Sequence, residues 1–148
     1  MTDETQDAES KPASESIYDL YATDSNMERE GIWLDYGKFG KILIARAGGS
    51  NKRFQKSMEN HSRPHRKQIQ NQTLDEDIAN ELLLKSFADS IVLGWEGIKD
   101  KDGSDLPFNK ENVIKLFKDL PDLFIDVREQ AQQSANFRAK EVDDDLGN

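Results

Sequence analysis

The chain has no cysteine, which excludes disulfide bonds, thiolate nucleophiles and cysteine-based zinc sites together. No apolar run approaches the roughly 20 residues that a bilayer-spanning helix requires. The first residues, MTDETQDAESKPASES, lack an apolar core and carry acids where a basic flank would stand. They are expected to be neither a secretory signal nor a transit peptide, and no membrane partner is expected. Histidine is scarce: His61 and His65 are the only two, Pro64 lies between them, and no further ligands complete a zinc site. The G-x-S-x-G turn of a serine nucleophile is missing, and 47–52 (AGGSNK) lacks the spacing of a phosphate loop.

Acids are abundant but carry no catalytic signature. Asp100, Asp102, Ser104 and Glu111 fall at positions 1, 3, 5 and 12 of a calcium loop. Asp105 occupies the position that needs glycine, and Pro107 interrupts the loop. A solvated turn leading into a helix cap accounts for the same residues. No catalytic, metal or cofactor residue is therefore assigned, and the chain is expected not to be an enzyme.

What is present fits one domain of 148 residues, with hydrophobic and charged residues nearly equal at 35% and 33%. Net charge is -9, unevenly spread. Residues 1–16 hold five acids and one Lys, whereas residues 38–67 hold nine Lys/Arg against the single acid Glu59. Composition predicts disordered acidic tails at 1–16 and 143–148 around a single domain at 17–142.

Within that domain, Ile32 to Tyr36 and Lys41 to Arg46 flank a Gly-containing connection and read as a β-hairpin. Ile32 and Leu34 would share a face with Ile42 and Ile44. A basic helix is expected from about Asn51 to His61, anchored by Phe54 and Met58 and limited by Pro64. Thr73-Leu74-Asp75-Glu76 has the pattern of a capping box, and an apolar stripe runs on through Leu82, Leu83, Phe87 and Ile91. Gly94 and Gly97 favour termination of this helix near Trp95. Asn109 is the expected N-cap of the next helix, with Phe108 and Val113 as a hydrophobic staple. Pro121 separates it from a last helix carrying Leu123, Phe124, Val127, Ala131 and Ala135. The fold class is α+β: a small N-terminal hairpin or sheet packed on a mainly helical C-terminal half.

The order of these features resembles a known family. Gly31-Ile32-Trp33-Leu34-Asp35-Tyr36 is followed by Ile44-Ala45-Arg46-Ala47-Gly48-Gly49-Ser50-Asn51-Lys52-Arg53-Phe54. Gly94-Trp95-Glu96-Gly97-Ile98-Lys99-Asp100, Leu106-Pro107-Phe108-Asn109 and Leu120-Pro121-Asp122-Leu123-Phe124 come later. The succession is similar to the small tail assembly chaperones of siphophages. That resemblance implies a non-catalytic assembly factor in the host cytoplasm, absent from the mature virion. Its implied partners are the tape measure protein, the tail tube protein, further copies of itself in a homo-oligomer, and a longer frameshifted form. Leu146-Gly147-Asn148 can be encoded to contain G GGA AAC, a heptamer that permits a minus-one slip. The gene sequence decides whether it does.

Partner-binding candidates are Trp33, Phe54 and Trp95 with the basic residues Lys52, Arg53 and Lys56. Ordinary core packing is the stronger expectation for the two tryptophans. Two other roles compete with the chaperone. The basic segment 52–67 suggests a small nucleic-acid-binding regulator, although the acidic total and the lack of stacking aromatics argue against nucleic acid. A structural tail component is the other.

Overall fold

The computed structural model describes residues 16–139, so both predicted acidic tails lie almost wholly outside the described residues. Helices α1 (Ile17–Tyr21) and α2 (Ser25–Glu30) lead into strands β1 (Ile32–Asp35) and β2 (Lys41–Ile44). Next come α3 (Lys52–Ser62), α4 (Arg66–Gln70), α5 (Glu76–Ser90), β3 (Val92–Glu96), α6 (Lys110–Asp119) and α7 (Pro121–Gln132). The α+β class read from the sequence is the class observed, with helices covering one face of a small antiparallel sheet.

The hairpin forms in the expected register, with Ile32 opposite Ile44 and Leu34 opposite Ile42. Ile42 and Ile44 are fully buried. A short 3-10 turn, Gly37–Phe39, makes the connection. Gly40 closes it at φ +108°, and a side chain there would drive its Cβ to 2.7 Å from the Glu96 carbonyl oxygen.

The sheet has a third strand that the sequence reading folded into a helix. Helix α5 stops at Ser90, and Val92–Glu96 pairs antiparallel with β2, placing Trp95 opposite Ile42 and Gly94 opposite Leu43. Ile91 and Val92 continue the helical apolar spacing, yet β2 would otherwise present an unpaired edge to solvent. Satisfying that ladder outweighs one more turn of helix.

The start of α5 is also corrected. Its N-cap is Asp75, which accepts a hydrogen bond from the Asp77 amide at 3.1 Å. Thr73 instead turns back, its amide donating to the Gln68 carbonyl at 2.8 Å. Pro64 ends α3 as expected, but the chain continues through a 3-10 turn into α4, a helix the sequence did not suggest. Asn109 does cap α6 through the Asn112 amide, at 2.8 Å. Phe108 meets the Trp95 ring edge-on at 5.2 Å. Pro121 opens α7 in its first turn. Ala135 leaves the apolar stripe and is exposed, because α7 ends at Gln132 and a 3-10 turn, Ser134–Phe137, follows.

The core lies between the sheet and α5, α6 and α7. Phe87, Ile91, Val113, Val127 and Ala131 are fully buried there, and Phe137 is fully buried in the 3-10 turn, where its carbonyl accepts the Asp24 amide. Phe87 sits at its centre: Phe54 meets it edge-on at 5.4 Å from one side and Phe124 at 5.4 Å from the other. Burying one such aromatic ring contributes about 1.5–3 kcal/mol.

Two carboxylates fasten the elements. Glu28 on α2 is 3% exposed and takes the Arg46 guanidinium at 2.5 Å, the Thr23 hydroxyl at 2.8 Å and the Ser50 amide at 3.0 Å. Gly49, at φ +56°, leaves the space the Glu28 carboxylate fills. Burial alone would raise this carboxyl, but hydrogen bonds from Ser50, Arg46 and Thr23 outweigh it and hold it at about 2. Asp89 on α5 takes Ser57 at 2.7 Å and His61 at 2.6 Å from α3, and Lys110 from α6. Burial again works upward, and Lys110, His61 and Ser57 hold the Asp89 carboxyl at about 2.

Candidate docking surfaces

Helices α5, α6 and α7 leave an open groove of about 300 Å³ between them. Its floor is Leu84, Phe117, Pro121, Phe124 and Ile125. Phe117 and Phe124 stack at 5.3 Å between centroids, which fixes the floor by packing. Pro121 forces the tight passage from α6 into α7, so the two helices present their first and last turns side by side. Ile125 stands on the solvent side of α7 with 42% of its surface exposed.

The rim is charged on both sides. Asp77, Asn80 and Glu81 come from α5, Lys118 from α6 and Arg128 from α7. Glu81 accepts Lys118 across the helix pair at 3.1 Å, and Arg128 lies over the Phe124 ring at 5.2 Å. An apolar floor with alternating charges at its lip suits the apolar face of an amphipathic helix.

A second surface is the outer side of α3 and α4. Lys52, Arg53, Lys56, Arg63, Arg66 and Lys67 are all exposed there, with Glu59 the one acid among them. A shallow hollow of about 340 Å³ opens between Glu59, Ser62, Arg63, Arg66, Ile69 and Gln70.

The six candidate contact residues are scattered rather than gathered. Trp33 is 42% exposed on the outward face of β1, with Lys41 Nζ 4.5 Å from the ring centroid. Trp95 faces inward, and its indole N–H donates to the Leu106 carbonyl at 2.8 Å. Phe54 is half-buried against Phe87, so it supports the groove from behind, through Phe87 and Phe124. Lys52, Arg53 and Lys56 lie on the basic face; Arg53 also donates to the Asp89 carbonyl at 3.1 Å. The sequence reading missed the groove. Its available signal was Ile125, an apolar residue just off the buried stripe of α7.

Other features considered from sequence have structural employment. Asp105 pairs with Lys99 at 2.6 Å, Asp100 with Lys115 at 3.1 Å, and Asp102 accepts the Ser104 hydroxyl at 2.6 Å. The Gly-rich turn before α3 binds an anion, but that anion is the chain's own Glu28. Asn51 caps nothing with its side chain; its amide donates to the Arg46 and Ser90 carbonyls at 2.9 and 3.3 Å. Ser57 and His61 both meet Asp89 Oδ2, which spends the serine hydroxyl on the carboxylate instead of on the imidazole.

No curated protein and no solved structure matches the chain. The model of the YdaY prophage protein family matches residues 49–148, more than half of the chain and all of both surfaces, so this phage-derived chain belongs to that family.

Proposed function

We propose that the chain is a non-catalytic tail assembly chaperone of a long-tailed phage. In this reading it binds the tape measure protein, keeps it soluble and recruits tail tube protein around it. It does so in the host cytoplasm, as an oligomer that can include a longer frameshifted form of the same chain.

The observation that carries the reading is the groove of α5, α6 and α7. A tape measure is long and helical, and before assembly its apolar faces are open to aggregation. A helix laid over Leu84, Phe117, Phe124 and Ile125 would bury two or three of its own side chains, each contributing about 1.5–3 kcal/mol before ordering costs. Membership of a prophage family and the resemblance of the motifs between Gly31 and Phe124 point the same way.

Co-expression with the neighbouring tape measure protein tests it. The unaltered chain should bring that protein into the soluble fraction and co-purify with it. Ile125→Arg should remove most of that effect, because it places a charge on the floor without touching the core. A tape measure protein that stays insoluble beside the unaltered chain overturns the proposal.

A further inference from the structure

Among the described residues, the lysines and arginines that meet no carboxylate are Arg29, Lys38, Lys101, Arg128, Arg138 and a group of six on α3, α4 and the turn between them. Lys41, Arg46, Lys85, Lys99, Lys110, Lys115 and Lys118 each meet a carboxylate within 4.0 Å. None of the six cations on the outer side of α3 and α4 does so among the described residues. Arg53 finds only a carbonyl, and Arg63 only the Asn60 side chain at 3.4 Å. Lys52 and Lys56 lie one turn apart on α3, and Arg63, Arg66 and Lys67 follow through the 3-10 turn into α4, so the charge forms a basic stripe interrupted by the single acid Glu59.

The chain carries a complement to that stripe. Residues 1–15 lie outside the described residues; their sequence places Asp3, Glu4, Asp7, Glu9 and Glu15 against the single Lys11. The point where they join the fold is close to α3. The Ser25 carbonyl accepts the Ser50 hydroxyl at 3.2 Å, and Arg29 reaches the same hydroxyl at 3.4 Å, two residues before α3 begins. Eight residues, five of them helical, lie between Ser16 and Ser25, so Ser16 is at most about 25 Å from Ser25 and about 35 Å from the start of α3. Fifteen residues reach up to about 50 Å, and the helical run from Lys52 to Lys67 is about 25 Å long.

We propose that the acidic segment 1–15 covers the basic stripe of α3 and α4 in the same chain. Tethering supplies an effective concentration in the millimolar range, enough for weak charge pairing to be populated without a folded contact. The cover keeps the stripe from taking unrelated polyanions, and an acidic partner must displace it. This surface is separate from the groove, so the proposal stands or falls independently of the client reading.

Zero-length carbodiimide cross-linking of the full chain, read by mass spectrometry, tests the contact. At about 20 mM salt, links should join Asp3, Glu4, Asp7 or Glu9 to Lys52, Lys56 or Lys67, and they should vanish near 0.5 M salt. In a mixture of light and heavy chains the links should stay within one isotope. Absent links overturn the proposal, and so do links that join light to heavy chains, which would assign the stripe to a second copy. Labelled polyglutamate gives the second readout: deleting residues 2–15 should tighten its binding roughly fivefold. Equal affinity for the deleted and full chains overturns the proposal. It is equally overturned if a single-stranded oligonucleotide binds both chains alike, since the stripe would then be open to phosphate.

Discussion

Glu28 and Asp89 are both acids held at about 2 by three donors, but they fasten different kinds of boundary. The ties of Asp89 run among Ser57, His61 and Lys110, wholly inside the stretch shared with the prophage family. Those of Glu28 run from α2 to Arg46 and Ser50, across the point where that stretch begins. The difference teaches that the family-matched region is not a folding unit on its own. Its β3 has β2 as its ladder partner, and its core is closed by Ile42 and Ile44. Breaking the boundary should therefore do more damage than loosening anything within it.

The largest effect is expected from expressing residues 49–148 alone. Losing Ile42 and Ile44 removes about 3–6 kcal/mol of apolar burial. It also strips β3 of its hydrogen-bond partners, against a whole-domain stability of roughly 5–15 kcal/mol. Circular dichroism should show helix without a cooperative melt. A sharp two-state transition in this fragment would mean the hairpin is an accessory.

Glu28→Ala comes next, at about 3 kcal/mol, because it leaves the largely buried Arg46 guanidinium, its side chain 22% exposed, and the Thr23 and Ser50 donors without their partner. The same link sets the acid limb of stability. Glu28 is depressed from an ordinary 4.5 to about 2, so the unfolded chain takes up the proton first. Its contribution of about 3 kcal/mol is whole above pH 4.5 and drains away as pH falls towards 2. Denaturant midpoints measured from pH 6 to pH 2 should fall steeply below 4.5 in the parent and more gently in Glu28→Gln.

Asp89→Asn should cost less, about 1–2 kcal/mol. The amide still accepts from Ser57, and Lys110 is exposed enough to return to water, its side chain being 54% exposed. A loss equal to that of Glu28→Ala would show that the two carboxylates are equivalent after all, and the boundary argument would lose its basis.

The two regions also differ in how far their sequences disclosed them. The hairpin was legible because strand period, Gly-containing connection and register agree locally, and Ile32, Leu34, Ile42 and Ile44 lie where alternation puts them. Helices α6 and α7 were legible through Asn109 and Pro121, which mark their own ends chemically. Strand β3 was not, because its apolar residues continue the spacing of α5 and only the unpaired edge of a distant strand decides between the two. Neither knot was legible: Glu28 and Asp89 look like any surface acid until Ser50, Arg46, His61 and Lys110 are brought to them across the fold. The groove is hidden for the same reason, being made by the angle between helices whose buried faces alone are periodic.

The smallest effect bears on the boundary of α5, where local sequence pointed to the wrong residue. A capping box at Thr73 would make its hydroxyl the acceptor for the first free amide of the helix. The hydroxyl instead lies 3.5 Å from the Gln68 carbonyl, too far to contribute much, while Asp75 accepts the Asp77 amide and adds its charge to the helix N-terminus. Asp75→Ala should then cost about 1 kcal/mol and Thr73→Ala no more than a few tenths. Thermal melts of the two variants side by side measure the difference directly. The reverse order would move the helix start back to Thr73. It would also place the turn between α4 and α5, and with it the Asp77 rim of the groove, in a different setting from the one described.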